Sequence, residues 1–438
     1  MKVIPQLVLI VIPSFIRTET SCSIPECGDD GYLLANETFE PRARSIRQSS
    51  DYERDLVMDT IQAADYPVDV HVVVTKDSYI LKLHRIPDPA LQDDDSVAER
   101  DQTSSDGIAT FRGVVLLVHG MFSTAADFVI TGPETGLAFI LADAGYDVWL
   151  GNARGTRFSR KHLHLSPKSA AFWDFSWHEI GVNDLPAMID FILRYTRQRK
   201  LFYIGHNQGV TAILTLLSEN PAYNRKISGV VGLAPLVFLG NGNNEIVRQL
   251  GKLNEQLWLT LKTLNIFELT PSPNVLKFLG STICSEGSFT GTVCSDLLAT
   301  IFGYSSEQAK FMLPGLITNS MLTGISTKQL IHYGQLMETR KFQQFDYKNF
   351  IENFQRYKQG KPPYYDLSRA TVPFTLFSGT NDFFSSSKDF KKLIRSLPNV
   401  SEFSELFGWT HMDFIYNAQI YVNVYRKILE AMRNSTTK

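Results

Sequence analysis

Residues 201–217, LFYIGHNQGVTAILTLL, decide the fold, because a strand pattern changes into a helix pattern within this stretch. The first four residues are all apolar, which predicts a buried strand, and the apolar residues at its end predict a buried helix. That helix should end at Asn220, because the proline after it disfavours helical geometry in the residue before. Gly205 and Gly209 flank a short turn with Asn207 at its centre. We therefore expect a strand, a sharp turn and a helix in direct succession.

Strands and helices alternate on both sides of this stretch. Residues 69–75 and 79–85 alternate apolar and polar side chains around a short turn, which is typical of an antiparallel hairpin. Residues 113–118 (GVVLLV) are apolar and β-branched, as in a strand buried on both faces. Asn183 is expected to cap a helix whose apolar side chains fall on one face. The remaining expected elements are a helix at 137–144 and strands at 147–150, 229–233 and 373–377.

This alternation predicts an α/β fold, in which a mostly parallel sheet carries helices on both faces. A helix-rich section at 236–365 interrupts the pattern and contains leucines at helical spacing between residues 253 and 264. Because open α/β sheets bind ligands at the carboxyl ends of their strands, we expect this section to lie above those ends. The expected organisation is a core in two parts, 55–235 and 366–438, with the 236–365 section inserted between them.

Length and composition exclude several classes of protein. The chain has 438 residues, 44% hydrophobic and 20% charged, which is typical of a globular protein and not of a disordered one. Its 43 lysines and arginines against 45 aspartates and glutamates give a net charge of −2, which argues against a nucleic-acid partner. The long apolar run lies at the extreme N-terminus, so no transmembrane segment is expected in the rest of the chain.

The first 20 residues have the pattern of a secretory signal peptide. Lys2 precedes a short apolar stretch at 3–16, and small residues follow at a spacing that signal peptidase recognises. Two prolines in the stretch argue against a spanning or buried helix. Residues 21–54 are then an N-terminal extension, which is either a solvated linker or a processed propeptide. We expect a secreted, extracellular protein, with the lysosome as a second destination.

Secretion gives a role to features that are otherwise unexplained. An oxidising compartment favours a disulfide between Cys284 and Cys294 over two free buried thiols. It also gives a use to three sequons for N-glycosylation, at Asn36, Asn399 and Asn434.

Two motifs predict the centre of a reaction site. Residues 205–209 (GHNQG) place Asn207 at the centre of a strand–turn–helix, the arrangement known as a nucleophile elbow. Residues 118–121 (VHGM) follow another buried strand, where a backbone N–H can face the elbow. Together with the N–H of Gln208 it would form an oxyanion hole.

Two later motifs supply an acid and a base. Asp382 directly follows the strand at 373–377, from which it can reach a histidine, and His411 lies in a late loop. Asp413 is an alternative acid, although the position of Asp382 after a strand favours Asp382. The chain order of nucleophile, acid and base is the order found in α/β-hydrolases.

The sequence resembles the acid lipase family, which includes gastric and lysosomal acid lipases and their insect relatives. The resemblance covers nearly all of the chain after about residue 55. The matching stretches are YP at 66–67, YILKLHRIP at 79–87, LAFILADAGYDVWLGNARG at 137–155, FWDFSWHEIG at 172–181 and DLPAMI at 184–189. The resemblance implies an α/β-hydrolase fold with a helical cap and lid, to which the segment with the two cysteines belongs.

The resemblance also implies roles for individual residues. Asp382 would be the triad acid and His411 the triad base, while Met121 and Gln208 would supply the N–H groups of the oxyanion hole. The family hydrolyses neutral-lipid esters, namely triacylglycerols and sterol esters, without a metal, so no cofactor is expected. The implied partners are neutral lipid or fatty acid, at a lipid-droplet or micelle surface.

Asn207 departs from the family pattern, which has serine at the centre of the elbow. A serine hydroxyl gives its proton to the histidine and attacks the ester carbonyl, whereas a carboxamide has no proton that a histidine removes near neutral pH. One hypothesis is therefore a lipase whose ester hydrolysis is severely impaired. The other is a non-catalytic protein of the same fold that binds lipid or a partner. A third explanation is an allelic or sequencing difference, because some serine and asparagine codons differ by one base.

Overall fold

A mostly parallel sheet organises the part of the chain that the structure describes. In the computed structural model of the protein, the described residues are 55–88, 111–242, 251–269 and 323–436. The strands within these ranges are β1 (Asp69–Val74), β2 (Tyr79–Ile86), β3 (Val114–Val118), β4 (Asp147–Gly151), β5 (Lys161–His162), β6 (Leu201–His206), β7 (Ile227–Leu233), β8 (Glu268–Leu269), β9 (Ile325–Ser326), β10 (Phe374–Gly379) and β11 (Val400–Leu406).

Nine of these described strands form one sheet, with the order β1-β2-β4-β3-β6-β7-β10-β11 and β5 against β2. From β4 to β11 all neighbours are parallel. The strand β2 pairs antiparallel with β1, as the predicted hairpin requires, and also with β4. The predicted α/β fold with a mostly parallel sheet is confirmed. The two short strands β8 and β9 pair with each other.

Helices cover both faces of this sheet. In the described ranges the α-helices of four residues or more are α1 (Leu56–Ala63), α2 (Leu137–Asp143), α3 (Leu185–Tyr195), α4 (Gln208–Glu219), α5 (Asn254–Thr263), α6 (Thr327–Thr339), α7 (Phe350–Tyr357), α8 (Ser387–Ser396), α9 (Asp413–Tyr416) and α10 (Arg426–Thr436). A helical turn at Trp177–Glu179 and a wider one at Ile180–Asp184 lead directly into α3. The helix predicted at 137–144 is confirmed as α2, and the helix predicted after the turn at Asn207 is confirmed as α4. The leucine spacing between residues 253 and 264 is confirmed as α5, which packs on α6.

The strand β3 shows why the centre of the sheet is continuously apolar. Val114, Leu116 and Val118 lie in one core, together with side chains of α3 and α4. Val115 and Leu117 lie in a second core, together with side chains of α1, α2 and α10. All five are at most 1% exposed. The predicted burial of this strand on both faces is confirmed, because helices cover both sides of it.

The helix that contains Asn183 begins earlier than the sequence analysis predicts. It starts at Trp177, after the N-cap Ser176. The backbone N–H of Ser176 donates to Glu179 Oε2 at 2.6 Å, which completes a reciprocal capping box. Asn183 lies inside the helical stretch, where its Nδ2 donates to Asp77 Oδ2 at 2.8 Å. The prediction that Asn183 caps the helix is wrong, because the Ser-x-x-Glu pair at Ser176 and Glu179 satisfies the free N–H groups about two turns earlier.

Several sequence predictions fall outside the described residues. They are the signal peptide at 1–20, the extension at 21–54, the sequon at Asn36 and the Cys284–Cys294 disulfide. Asn399 and Asn434 are described and exposed, and Asn399 Nδ2 donates to Thr371 O at 3.1 Å. Among the described helices, none is long and apolar enough to cross a membrane.

Gly379 ends β10 where that strand meets the loop before the late histidine. A Cβ on Gly379 would lie 2.1 Å from the carbonyl oxygen of Trp409, whereas a Cβ on Gly229 in β7 would lie 3.7 Å from its nearest neighbour. We expect Gly379→Ala to lower the free energy of unfolding by about 1–3 kcal/mol, since backbone must move to make room. Gly229→Ala, the matched control, should lower it less. Urea unfolding followed by tryptophan fluorescence measures both, and equal losses would contradict this packing.

Candidate active site

Asn207 occupies a sharp turn between β6 and α4. Its φ of 53° is positive, which asparagine tolerates more readily than most residues other than glycine, and its ψ of −111° lies outside the left-handed helical region, so the turn is strained. The flanking glycines make the turn possible. A Cβ on Gly205 would lie 2.7 Å from the carbonyl carbon of Gly209, and one on Gly209 would lie 2.4 Å from Val118 O. The close approach of β6, α4 and β3 therefore holds the Asn207 side chain at the carboxyl ends of the strands.

The Asn207 carboxamide is held at both of its polar atoms. Its Oδ1 accepts a hydrogen bond from the backbone N–H of Met121 at 3.3 Å, and its Nδ2 donates to His411 Nε2. Because a backbone N–H only donates, the contact with Met121 identifies the atom there as the oxygen. Met121 follows β3 and His411 follows β11, so one side chain connects three distant parts of the chain. Asn207 is 7% exposed.

Asp382 orients the His411 ring. Nδ1 of His411 donates to Asp382 Oδ2 at 2.8 Å, so that Nε2 is the acceptor that faces Asn207. The other carboxylate oxygen of Asp382 accepts from the backbone N–H groups of Phe384 at 2.8 Å and Ser385 at 3.1 Å. Asp382 and His411 are both buried. The structure thus brings together the three side chains that the sequence analysis singled out as acid, base and elbow residue.

Asp413 points into its own loop and not toward the His411 ring nitrogens. Its Oδ2 accepts from Thr410 N at 2.6 Å and from Thr410 Oγ1 at 2.9 Å. Its Oδ1 accepts from Asn417 Nδ2 at 2.7 Å. These bonds start the short helix α9 and shape the loop that presents His411. Of the two acids that the sequence offered, the structure therefore places Asp382 against the histidine.

Gln208 connects the elbow to the section between β7 and β10. It is the first residue of α4, where backbone N–H groups have no acceptor within the helix. Its side-chain Oε1 accepts from Gln329 Nε2 of α6 at 3.1 Å. This hydrogen bond connects the residue that follows Asn207 to α6. Among the described residues, no group of three His, Cys, Asp or Glu side chains could hold a metal ion.

Two further buried histidines border the site, and the sequence analysis gave them no role. His206 Nε2 donates to the backbone oxygen of His411 at 3.4 Å, and burial, with His411 and His119 nearby, lowers the pKa of His206 well below its usual value. Burial also lowers the pKa of His119 to about 4, and its Nε2 accepts from Ala153 N at 3.2 Å. Both rings are therefore neutral near pH 7. In the sequence, His206 precedes the elbow residue and His119 precedes Gly120, and these positions could have indicated that both rings border the site.

The arrangement has most of the parts that acyl transfer needs. An imidazole oriented by a buried carboxylate can accept a proton, and a fixed backbone N–H stabilises a developing oxyanion. At the elbow, however, a carboxamide stands where the reaction needs a group with a removable proton. The nitrogen lone pair of a carboxamide is delocalised into its carbonyl, so it is a poor nucleophile. Asn207 can hydrogen-bond the histidine but cannot form an acyl-enzyme.

Family models match the region that builds this site. Residues 57–132 match the model described as partial alpha/beta-hydrolase lipase region. Residues 113–262 match the model described as alpha/beta hydrolase fold. These two ranges include β1 to β7 and the elbow.

Relatives and solved structures are similar over most of the chain. Lipase 3 of Drosophila melanogaster is 36% identical, over 85% of this chain and 92% of its own length. Gastric triacylglycerol lipase is 34% identical in Mus musculus, over 84% of this chain and 89% of its own. The Homo sapiens gastric triacylglycerol lipase is 33% identical, over 83% of this chain and 87% of its own length. A soluble variant of monoglyceride lipase from Saccharomyces cerevisiae has a TM-score of 0.51 at 16% identity, over 85% of this chain and 99% of its own, which supports the fold.

Proposed function

Since the chain belongs to the acid lipase family of α/β-hydrolases, we propose that it binds neutral-lipid esters and hydrolyses them at a severely reduced rate. The observation that carries the proposal is a pair of hydrogen bonds at the Asn207 carboxamide, which donates to His411 Nε2 and accepts from the backbone N–H of Met121. The atoms that serve a serine hydrolase as base and oxyanion donor are thereby engaged by a group that cannot attack an ester. The gastric triacylglycerol lipases among its relatives support triacylglycerol as the substrate class.

The proposed roles follow from the geometry of the site. Asn207 stands at the nucleophile position, Asp382 is the acid, His411 is the base, and Met121 and Gln208 supply the oxyanion N–H groups. In other hydrolases, loss of the nucleophile reduces turnover by on the order of a million-fold. The rate that remains is still ~10³–10⁴-fold above that of the uncatalysed reaction in water. We therefore assign to this chain only the residual hydrolysis that an oxyanion hole and substrate binding support.

The section at 236–365 is proposed to be the cap over the site, between the core parts 55–235 and 366–438. Its described residues contact the elements around Asn207. The backbone N–H of Thr323 donates to Phe122 O at 3.0 Å, next to Met121. The Tyr333 hydroxyl of α6 lies 2.9 Å from Thr211 Oγ1 of α4. These contacts support a cap that rests on the carboxyl ends of the strands, where an acyl chain would be held out of water.

The proposed setting is extracellular, with the lysosome as a second destination. It rests on the signal-peptide pattern at 1–20 and on the three sequons, of which Asn399 and Asn434 are exposed. A disulfide between Cys284 and Cys294 belongs to the same proposal. Expression in a secreting cell, followed by glycosidase treatment of the medium and non-reducing peptide mapping, tests all three features. A chain retained in the cytosol, unglycosylated and with both thiols free, would contradict them.

The purified protein is expected to hydrolyse p-nitrophenyl esters and triolein at no more than a small fraction of the rate of a serine-containing relative. The physical reason is the absence of a hydroxyl at residue 207. Initial rates measured beside gastric triacylglycerol lipase provide the test. A comparable rate that His411→Ala abolishes would contradict the proposal, because it would require another nucleophile or water activated directly by His411.

Lipid binding is expected to persist without hydrolysis. Each buried methylene contributes ~0.8 kcal/mol, and the identity of residue 207 does not remove that contribution. We expect saturable binding of a fluorescent long-chain fatty acid, and its loss in Phe384→Lys. The Phe384 ring lies 5.0 Å from the His411 ring, so a lysine there would place a charge beside the site where the acyl chain is proposed to bind. Phe350→Lys is the matched control, since Phe350 of α7 is already 70% exposed.

The lipid-binding half of the proposal fails if the folded, monodisperse protein shows no saturable binding. It also fails if both lysine variants weaken binding equally, because the lipid would then not occupy the site. A role in binding a protein partner would be the better non-enzymatic explanation in either case.

A further inference from the structure

The Asn207 carboxamide is itself an acyl group placed in the reaction site. Its carbonyl oxygen accepts the Met121 N–H at 3.3 Å, which is the contact that an oxyanion hole makes with the carbonyl it activates. Its amide nitrogen, the leaving group of amide hydrolysis, faces His411 Nε2. We propose that the site hydrolyses the Asn207 side chain once, converting residue 207 to aspartate and releasing ammonia. This inference does not depend on lipid binding.

The reaction balances with water as its only co-reactant. A water molecule attacks Cγ of Asn207 and gives one proton to His411 Nε2. The carbonyl π electrons move to Oδ1, and the tetrahedral oxyanion is stabilised by the Met121 N–H. The oxyanion electrons then re-form the carbonyl, the Cγ–Nδ2 bond breaks and its electron pair leaves with nitrogen, and His411 returns the proton to that nitrogen. The first products are a carboxylic acid and ammonia, and transfer of the acid proton to the ammonia gives aspartate and ammonium; no group is oxidised or reduced.

The neighbours of His411 prepare it for both proton transfers. Asp382 accepts from His411 Nδ1 at 2.8 Å, so the carboxylate stabilises the imidazolium that forms after water attack. The protonated Nε2 then faces the departing nitrogen directly. The adjacent His206 and His119 are neutral near pH 7 because burial lowers their pKa values, so they add little repulsion to the imidazolium. An exposed asparagine has neither a fixed N–H donor at its oxygen nor a base at its nitrogen.

A second route to aspartate exists, and its product differs. In ordinary asparagine ageing the next backbone nitrogen attacks Cγ, and the cyclic imide opens to a mixture of aspartate and iso-aspartate. Here that nitrogen belongs to Gln208, which is the first residue of α4. The Gln208 side chain accepts a hydrogen bond from Gln329. Ring closure would have to pull this residue out of the helix. Hydrolysis by water leaves the backbone in place and yields aspartate alone.

Peptide mass spectrometry of the full-length protein, aged in water enriched in oxygen-18, tests the inference. We expect residue 207 to change from an amide to an acid that carries one oxygen-18 atom. This conversion should be faster than the conversion of the exposed Asn265 in the same sample. The product should contain no iso-aspartate. His411→Ala should slow the conversion by on the order of 100-fold, the typical contribution of a general acid–base group. Asp382→Asn keeps the shape of the acid and should slow it in the same direction, which guards against misfolding of the alanine variant.

Three results would overturn the inference. Residue 207 remaining an amide for as long as Asn265 would show that the site gives no acceleration. An unchanged rate in folded His411→Ala and Asp382→Asn would show that the base plays no part. Iso-aspartate at residue 207 would assign the conversion to Gln208 and not to water. Ester hydrolysis and fatty-acid binding are measured separately, so their outcome does not decide this one.

Discussion

We expect Asn207→Ser to raise the rate of ester hydrolysis by on the order of a million-fold over that of the unaltered protein, because the rest of the site is in place. The serine hydroxyl would take the place of the carboxamide between His411 Nε2 and the Met121 N–H. His411 is already oriented by Asp382 at 2.8 Å, so no further rearrangement is needed. The backbone of the elbow should persist, because the glycines on both sides of residue 207 are unchanged.

Rates on p-nitrophenyl butyrate and triolein measure this effect, with Asn207→Gly as the matched control. Glycine tolerates the positive φ and frees both His411 and the Met121 N–H, but it supplies no hydroxyl. We expect the glycine variant to remain as slow as the unaltered protein. A gain equal to that of the serine variant would mean that the carboxamide merely blocks a site in which His411 activates water. A folded serine variant without activity would mean that the acid, base or oxyanion hole is not competent, and would favour a long-established binding role.

In the Asn207→Ser background, Asp382→Asn is expected to lower kcat by on the order of 10⁴-fold, because asparagine at this position favours the wrong tautomer of the histidine. Asp413→Asn is the matched change at the alternative acid and should lower kcat far less. Its carboxylate bonds to Thr410 and Asn417 and does not contact the His411 ring nitrogens.

Both variants should be compared by kcat and by thermal unfolding. The assignment of the acid would be wrong if Asp413→Asn reduced kcat as severely as Asp382→Asn at equal stability. A loss of stability with only a small change in kcat is the result expected for Asp413→Asn, because Asp413 shapes the loop.

The fold could be predicted because its signals are local. The uninterrupted apolar stretch of β3 and the alternation of β1 and β2 each describe how one strand is buried, and both predictions are confirmed. The helix after Asn207 ends where Asn220-Pro221 predicts. The start of the helix around Asn183 was missed because two signals competed. The reciprocal bonds of Ser176 and Glu179 satisfy backbone N–H groups that Asn183 alone would leave free.

The internal contacts of the site could not be predicted in the same way. The sequence shows which residue types stand at the elbow and after the strands, but Met121 and His411 lie 86 and 204 positions away from Asn207. Which end of the carboxamide meets which partner depends on side-chain geometry at the sheet edge. The neutrality of His206 depends on burial by its neighbours, which its sequence position alone does not reveal.

Fluorophosphonate labelling tests the proposal that the site lacks only the hydroxyl of its nucleophile. The reagent forms a bond with an activated serine and requires the base and the oxyanion hole together. Intact-mass and peptide analysis should find no adduct at residue 207 of the unaltered protein, a stoichiometric adduct at that residue in Asn207→Ser, and none when His411→Ala is added. A folded Asn207→Ser protein that stays unlabelled, or an adduct on another residue of the unaltered protein, would contradict this proposal.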